Sequence, residues 1–327
     1  MRIFLMVLFA VWQLMAQTGD APEPHPIGKL VDIGGRKLHL DCIGEATPIV
    51  ILVNGTGAFS FDWGLVQPKV GTFARVCSYD RAGHAWSDPS PAPQTYREMS
   101  EDLHTLMHNA GEAGPFVLVG HSGGGELVRV FALTYPNDIA GIILVETGHP
   151  DSLSIINGRL VRRSAQNLSD LPSPIKSGAP TPPTSAVPTR VEPPYDKLPA
   201  EDQRFRLWAL SHGRIPASSA QAEVESVQQL RAAHERGGAL LGDKPLIVIS
   251  RAAGGYRPIR GIVSKEQAEL LEHERLEHNQ DLLRLSHNSK AIVANQSGHD
   301  VHIDQPDLII ESIRAVRDAI RNHSHLR

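Results

Sequence analysis

Cysteine is nearly absent from this chain, with two in 327 residues. That scarcity excludes a disulfide-built scaffold and the multi-cysteine frameworks of zinc modules. An excess of one charge is missing too. Lys and Arg total 32 against 36 Asp and Glu, and no basic block stands out. Such a surface offers no electrostatic footprint for nucleic acid. No cluster of His, Cys, Asp and Glu shows metal-ligand spacing, so neither a metal nor an organic cofactor is expected. No internal repeat is visible. After the first residues, no apolar run reaches the about 20 positions that a spanning helix needs.

The rest is ordinary globular composition, 41% hydrophobic and 21% charged. The length allows one large domain or a core carrying an inserted module. Met1-Arg2 precedes a short apolar run from Ile3 to Trp12, and a small residue stands at Ala16. This reads as a secretory signal, residues 1–16, cut after Ala16. The alternative is an uncleaved N-terminal anchor. The expectation is a secreted or periplasmic protein with no stable membrane insertion after cleavage.

Lys29–Ile33 and Lys37–Cys42 are alternating runs joined by Gly34-Gly35, a hairpin signal. Short apolar runs suited to buried strands follow at 48–53, 74–79, 116–119, 139–145, 245–249 and 291–294. Helical patterns fall between them. One runs from Tyr96 to Asn109 behind a Thr95 cap, and the last from Pro306 to Asn322. Alternation of this kind predicts a mostly parallel sheet flanked by helices. Residues 151–243 interrupt it. A proline-rich stretch over 172–195 leads into helical patterns at 200–212 and 218–236. This segment reads as a cap inserted into a core formed by 27–150 and 244–327.

The most informative stretch is Phe116-Val-Leu-Val-Gly120-His121-Ser122-Gly123-Gly124. An apolar strand runs into a tight turn, and an apolar-periodic helix leaves it. Gly120 and Gly124 flank Ser122 with the spacing of a G-x-S-x-G nucleophile elbow. Such a turn lifts a serine hydroxyl clear of the backbone and aims a helix N-terminus at it. The bland alternative is a Gly-rich turn with a serine cap.

With the loop Asn54-Gly55-Thr56-Gly57, the segment Tyr79-Asp80-Arg81-Ala82-Gly83, the Ser122 turn, Leu144-Val145-Glu146, and Ser297-Gly298-His299, the chain resembles the α/β-hydrolase superfamily. It looks like an esterase-like branch carrying the Tyr-Asp-Arg-Ala-Gly segment. It departs from that branch at Ala85, where a glycine is usual, and at Asn54, where His is usual. The resemblance implies an α/β-hydrolase fold, an eight-stranded mostly parallel sheet with an inserted helical cap. It also makes the second and fourth strands neighbours, so that Cys42 and Cys77 could form a disulfide.

A serine hydroxyl needs a base, because it is a weak nucleophile at its own pKa. His299 follows the last strand on the edge where Ser122 stands, with His302 as its rival. His121 reads as a packed residue beneath the turn, and His84 and His149 as loop or surface residues. The usual place for the third member, after the 245–249 strand, holds Ser250-Arg251-Ala252-Ala253 and no carboxylate. Glu146, closing an otherwise apolar strand, is the expected acid, with Asp151 as runner-up. The backbone N–H groups of Gly123 and Thr56 are the expected oxyanion donors, Gly57 being the nearest substitute for Thr56. Asp80-Arg81 and Ser87-Asp88 read as bracing.

The sequence thus predicts an exported serine hydrolase that cleaves carboxylic esters through an acyl-enzyme on Ser122. The partner is a small-molecule ester, and no nucleic acid is expected. Amide, peptide or lactone hydrolysis, perhydrolysis, and a non-catalytic ligand-binding protein of this fold are the alternatives.

Overall fold

The apolar runs become the strands of one sheet. In the structure, a computed structural model, residues 23–91, 94–156, 159–166, 188–214, 220–252 and 264–326 are described. The leader at 1–16 and most of the proline-rich stretch lie outside them.

An eight-stranded sheet forms from β1 (Lys29–Asp32), β2 (Lys37–Ile43), β3 (Val50–Val53), β4 (Val76–Tyr79), β5 (Phe116–His121), β6 (Ile139–Val145), β9 (Leu246–Arg251) and β10 (Ser289–Ala294). Its order is β1-β2-β4-β3-β5-β6-β9-β10. The β1–β2 and β2–β4 pairs are antiparallel, and every later pair is parallel. The central strands β3, β4, β5, β6 and β9 are covered on both faces, which is why they read as continuous apolar runs. Ile51 and Val53 of β3 face one core with Leu118, Leu144 and Phe131. Val50 and Leu52 face the other, with Val119, Val145 and Ile313.

The helices supply those two layers. α2 (Tyr96–Asn109) and α3 (Gly123–Thr134) cover the first face through Leu103, Leu106, Leu127 and Phe131. α1 (Gln67–Val70) and α8 (Pro306–Arg321) cover the second through Val70, Ile309, Ile313 and Val316. Thr95 caps α2 as expected. Its hydroxyl accepts from the Glu98 N–H at 3.3 Å, and its own N–H donates to the Glu98 carboxylate at 2.6 Å. This capping box satisfies two otherwise orphaned donors.

β2 and β4 are neighbours, and their register sets Cys42 opposite Cys77. The two are bonded as a disulfide with Cα atoms 4.1 Å apart. Closing a loop across the 35-residue separation is worth about 3–4 kcal/mol in the chain-entropy picture.

The segment after β6 departs from the sequence reading. It opens with a hairpin, β7 (Leu153–Ile156) and β8 (Arg159–Arg162), that alternation did not announce. Its helices are α4 (Ala200–Ser211) and α5 (Ala220–Glu235). α4 buries Phe205, Trp208 and Ala209 against Phe59, Phe61 and Trp86 of the core. Between β9 and β10 stands the charged helix α6 (Lys265–Leu282), and a short α7 (Val301–Asp304) precedes α8. Among the described residues, no helix is long and apolar enough to cross a membrane.

Candidate active site

Five residues singled out in the sequence stand where β3, β5, β6 and β10 end. Ser122 is the junction between β5 and α3, with φ +52° and ψ −123°. A side-chain-bearing residue there is strained by about 1–3 kcal/mol, and such strain concentrates at functional sites. The flanking glycines are dictated by contact. A Cβ at Gly120 would meet the Gly124 carbonyl oxygen at 2.5 Å, and one at Gly124 would run into the Val53 and Asn54 carbonyls. The Ser122 N–H donates to Val145 O at 2.9 Å, and the Thr147 hydroxyl donates to Ser122 O at 2.9 Å. The turn is therefore tied to the end of β6.

The expected oxyanion donors border one space. A Cβ on Gly123 would stand 3.6 Å from the Thr56 nitrogen. The Thr56 loop is aimed from below by Arg81, whose guanidinium donates to Asn54 O and Gly55 O, each at 2.5 Å. Gly55 C=O and Thr56 N–H share one planar trans peptide, so fixing the carbonyl points the N–H the opposite way. Asn54 adds a bond from Nδ2 to Tyr79 O at 3.0 Å.

His299 lies between β10 and α7, with its side chain 53% exposed. His121, on β5 beside Ser122, donates from Nε2 to His299 O at 2.9 Å. That bond ties the histidine loop to the serine turn. Burial pushes the His121 imidazole well below its ordinary range, helped by His302 and His299. His302 is buried on α7, its ring 4.7 Å from Trp63 and 4.4 Å from His121. Burial lowers it to about 3. A neutral, enclosed ring of that kind is a packing group. His84 and His149 stand in loops, one of the two positions expected of them, but are buried rather than at the surface.

Glu146 directly follows β6, with φ +45° and a side chain 5% exposed. Its Oε2 lies 3.8 Å from His299 Nδ1. Its Oε1 accepts from the Arg251 N–H at 2.7 Å and from Arg275 Nη1 at 3.3 Å. Arg251 Nε stands 3.3 Å from Oε2. Both guanidinium groups also engage Glu272 on α6, Arg251 at 2.9 and 3.0 Å and Arg275 at 2.5 and 3.3 Å. Sequence reasoning missed this assembly. The available signals were an arginine in the place vacated by the usual acid, and an i, i+3 Glu272–Arg275 pair on α6. Asp151, the runner-up acid, instead takes a hydrogen bond from the Ser164 hydroxyl.

Among the described residues, three groups bring potential metal-ligand atoms within 4.8 Å of one another. In Cys42–Cys77–Glu112 the sulfurs are spent in the disulfide. In His149–His234–Asp281, His149 Nδ1 accepts the Asp151 N–H at 3.1 Å, so Nε2 carries the proton it shares with Asp281 at 3.1 Å. A ligating imidazole needs that lone pair free. In His121–Asp300–His302, Asp300 already accepts the Tyr195 hydroxyl at 3.0 Å.

Residues 48–173 match the family described as the alpha/beta hydrolase fold. An AB hydrolase superfamily protein of Gibberella zeae is 25% identical over 295 residues, covering 84% of this chain and 87% of that protein. A probable transporter of Hormonema carpetanum, efuK, is 32% identical over 126 residues. That match covers 36% of this chain and spans 18% of the transporter's length. The structure of a thermophilic esterase from Thermogutta terrifontis superposes with a TM-score of 0.55 at 19% identity, covering 87% of this chain and 94% of the esterase. By its sheet order and its structural likeness the chain has the α/β-hydrolase fold, and residues 48–173 match the family of that description.

Proposed function

We propose that the chain is a serine hydrolase of carboxylic esters, working through an acyl-enzyme on Ser122. The observation that carries this reading is the strained serine at the β5–α3 junction, sharing one sheet edge with a histidine that has a buried carboxylate 3.8 Å from its Nδ1. Ser122 Oγ attacks the ester carbonyl while His299 accepts its proton. Glu146 holds the His299 tautomer and stabilises the imidazolium. Negative charge developing on the carbonyl oxygen is met by the N–H groups of Gly123 and Thr56, each worth about 3–4 kcal/mol when preorganised. His299 then protonates the departing alkoxide. Water, deprotonated by His299, attacks the acyl-enzyme and releases the acid and Ser122.

Export is part of the same reading. The positively charged, apolar leader and the Cys42–Cys77 bond suit an oxidising compartment. The 151–243 segment, with α4 packed on the core, is read as the cap that sets the substrate.

A fluorophosphonate probe is expected to label Ser122, and Ser122→Ala to lose both label and esterase activity. Glu146→Gln is expected to lower kcat by about 10⁴-fold, the order seen on removing a triad carboxylate. An unlabelled wild-type protein would favour a ligand-binding role. Near-normal turnover in Glu146→Gln would remove the acid assignment.

A further inference from the structure

We propose that Arg251, Arg275 and Glu272 form a positioning unit for Glu146, which fixes its carboxylate and sets the net charge it presents to His299. This rests on reading Ser122, His299 and Glu146 as the catalytic set.

The geometry is that of a closed quartet. Glu146 Oε1 takes the Arg251 N–H and Arg275 Nη1, and Oε2 lies between Arg251 Nε and His299 Nδ1. Glu272 receives both guanidinium groups on its far side, and Arg275 Nη2 also donates to Arg251 O at 3.2 Å. Side-chain exposure is 5% for Glu146, 6% for Arg251, and 17% for both Arg275 and Glu272. Two carboxylates and two guanidinium groups cancel, which removes most of the cost of burying any one of them.

The position of Arg251 gives the unit its meaning. It ends β9, one strand over from Glu146, at the edge where the sequence lacks an acid. A residue there reaches across to the carboxylate at the end of β6 and holds it with backbone and side chain together. Glu146 therefore has a site rigid enough to orient His299, even though its own backbone lies in the left-handed region. Two nearby positive charges would by themselves weaken its pull on an imidazolium. Glu272 offsets that effect. Its own proton affinity reflects the balance, because burial raises it while hydrogen bonds from Arg275 and Arg251 hold it at about 2.

Among the described residues, the other charged and titratable groups on this side are His121 from β5, His302 from α7, Asp300 and Asp304 in and after the His299 loop, and Lys197, Arg206 and the Tyr195 hydroxyl from the segment beside them. Among the described residues none of these belongs to the quartet, so a shift that reverses sign between Arg275→Met and Glu272→Gln reports on the quartet's charge.

The test is the pH profile of kcat/KM for p-nitrophenyl acetate, measured on Arg275→Met, Arg275→Lys and Glu272→Gln alongside wild type. Losing a positive charge beside Glu146 strengthens its hold on the His299 proton. The acidic limb of Arg275→Met should move up by about half a pH unit, the effect of one partly screened charge. Glu272→Gln leaves the guanidinium groups uncompensated and should move the limb down by a similar amount. Arg275→Lys should restore the limb towards wild type. Opposite shifts with KM held within twofold support the unit. Limbs that stay put or move together, in variants that still turn over, overturn it. That outcome differs from failure of the catalytic set itself, which an active Ser122→Ala or Glu146→Gln enzyme would show.

Discussion

Two buried charged assemblies flank Ser122, and they are built on opposite principles. On the oxyanion side stands one carboxylate in a cage of hydrogen-bond donors. Asp80 Oδ1 accepts the Ser60 N–H at 2.8 Å, and Oδ2 accepts the Ser60 hydroxyl at 3.0 Å and His39 Nδ1 at 2.7 Å. The Gly28 N–H donates to His39 Nε2 at 3.1 Å, which leaves Nδ1 as the donor to Asp80. Ser87 links the same parts, donating to Asp80 O at 2.6 Å and accepting the His39 N–H at 2.9 Å. On the acid side stand two carboxylates and two guanidinium groups drawn from β6, β9 and α6. The cage surrounds a lone carboxylate with neutral donors and fixes backbone shape. The quartet holds one side chain and, through its balance of charge, sets the field at the neighbouring histidine. Damage to the cage should therefore appear as lost stability and lost oxyanion geometry, and damage to the quartet as altered pH dependence.

The largest effect expected from this contrast is on stability. Asp80→Ala deprives three buried donors of their acceptor and should cost about 3–5 kcal/mol, in line with breaking a buried charged network. Denaturant unfolding would measure it. A loss below about 1 kcal/mol, the worth of an ordinary hydrogen bond, would mean that the cage is not what holds this loop.

Arg81→Met comes next and separates shape from chemistry. The substitution keeps an apolar stem but releases Asn54 O and Gly55 O. The Gly55–Thr56 peptide can then rotate, and Thr56 N–H leaves the oxyanion space. Loss of one such donor lowers kcat by about 10²–10³-fold. KM should change far less. Unchanged kcat would assign Arg81 to bracing alone and point to Gly57 as the second donor.

The same contrast explains what was legible in the sequence. The cage draws much of its structure from one contiguous stretch, Tyr79 to Asp88, which the sequence reads as bracing, although Asp80 pairs with His39 and Ser60 and Arg81 with backbone carbonyls rather than with each other. The sheet was legible because strands buried on both faces carry unbroken apolar runs, and α2 and α8 because their apolar periodicity and start signals agree. Ser122 and Glu146 were legible because a Gly-flanked serine and a charge ending an apolar strand each break a local pattern. The quartet was not. Glu272 and Arg275 sit on a helix whose surface is charged nearly throughout, and only the pairing of β6 with β9 brings Arg251 to Glu146. The β7–β8 hairpin escaped because its strands are four residues each and belong to no core alternation. The burial of His84 and His149 escaped because an imidazole in a loop carries no periodic signal.

The smallest effect distinguishes the two assemblies by the pH at which each fails. His84 lies in the braced segment, and its Nδ1 faces Ala82 O at 3.2 Å. Burial, with Arg81 nearby, lowers it from 6.5 to about 3. The unfolded chain therefore binds this proton more readily than the folded one. Stability from His84 is complete above pH 6.5 and is lost as pH falls towards about 3. Glu272 is held at about 2 against an ordinary 4.5, so its contribution is complete above pH 4.5 and is lost only as pH falls towards 2. Its partial exposure screens the pair and limits the effect to about 1–2 kcal/mol. Melting temperature followed from pH 8 to pH 2 should thus decline in two windows. His84→Asn keeps an N–H donor near the Ala82 carbonyl and should make the upper window shallower, while the buried His302, His121 and His149 keep part of it. Glu272→Gln should flatten the lower one alone. If either substitution flattens both windows, the assemblies unfold as one unit, and the separation between a cage that shapes and a quartet that tunes is lost.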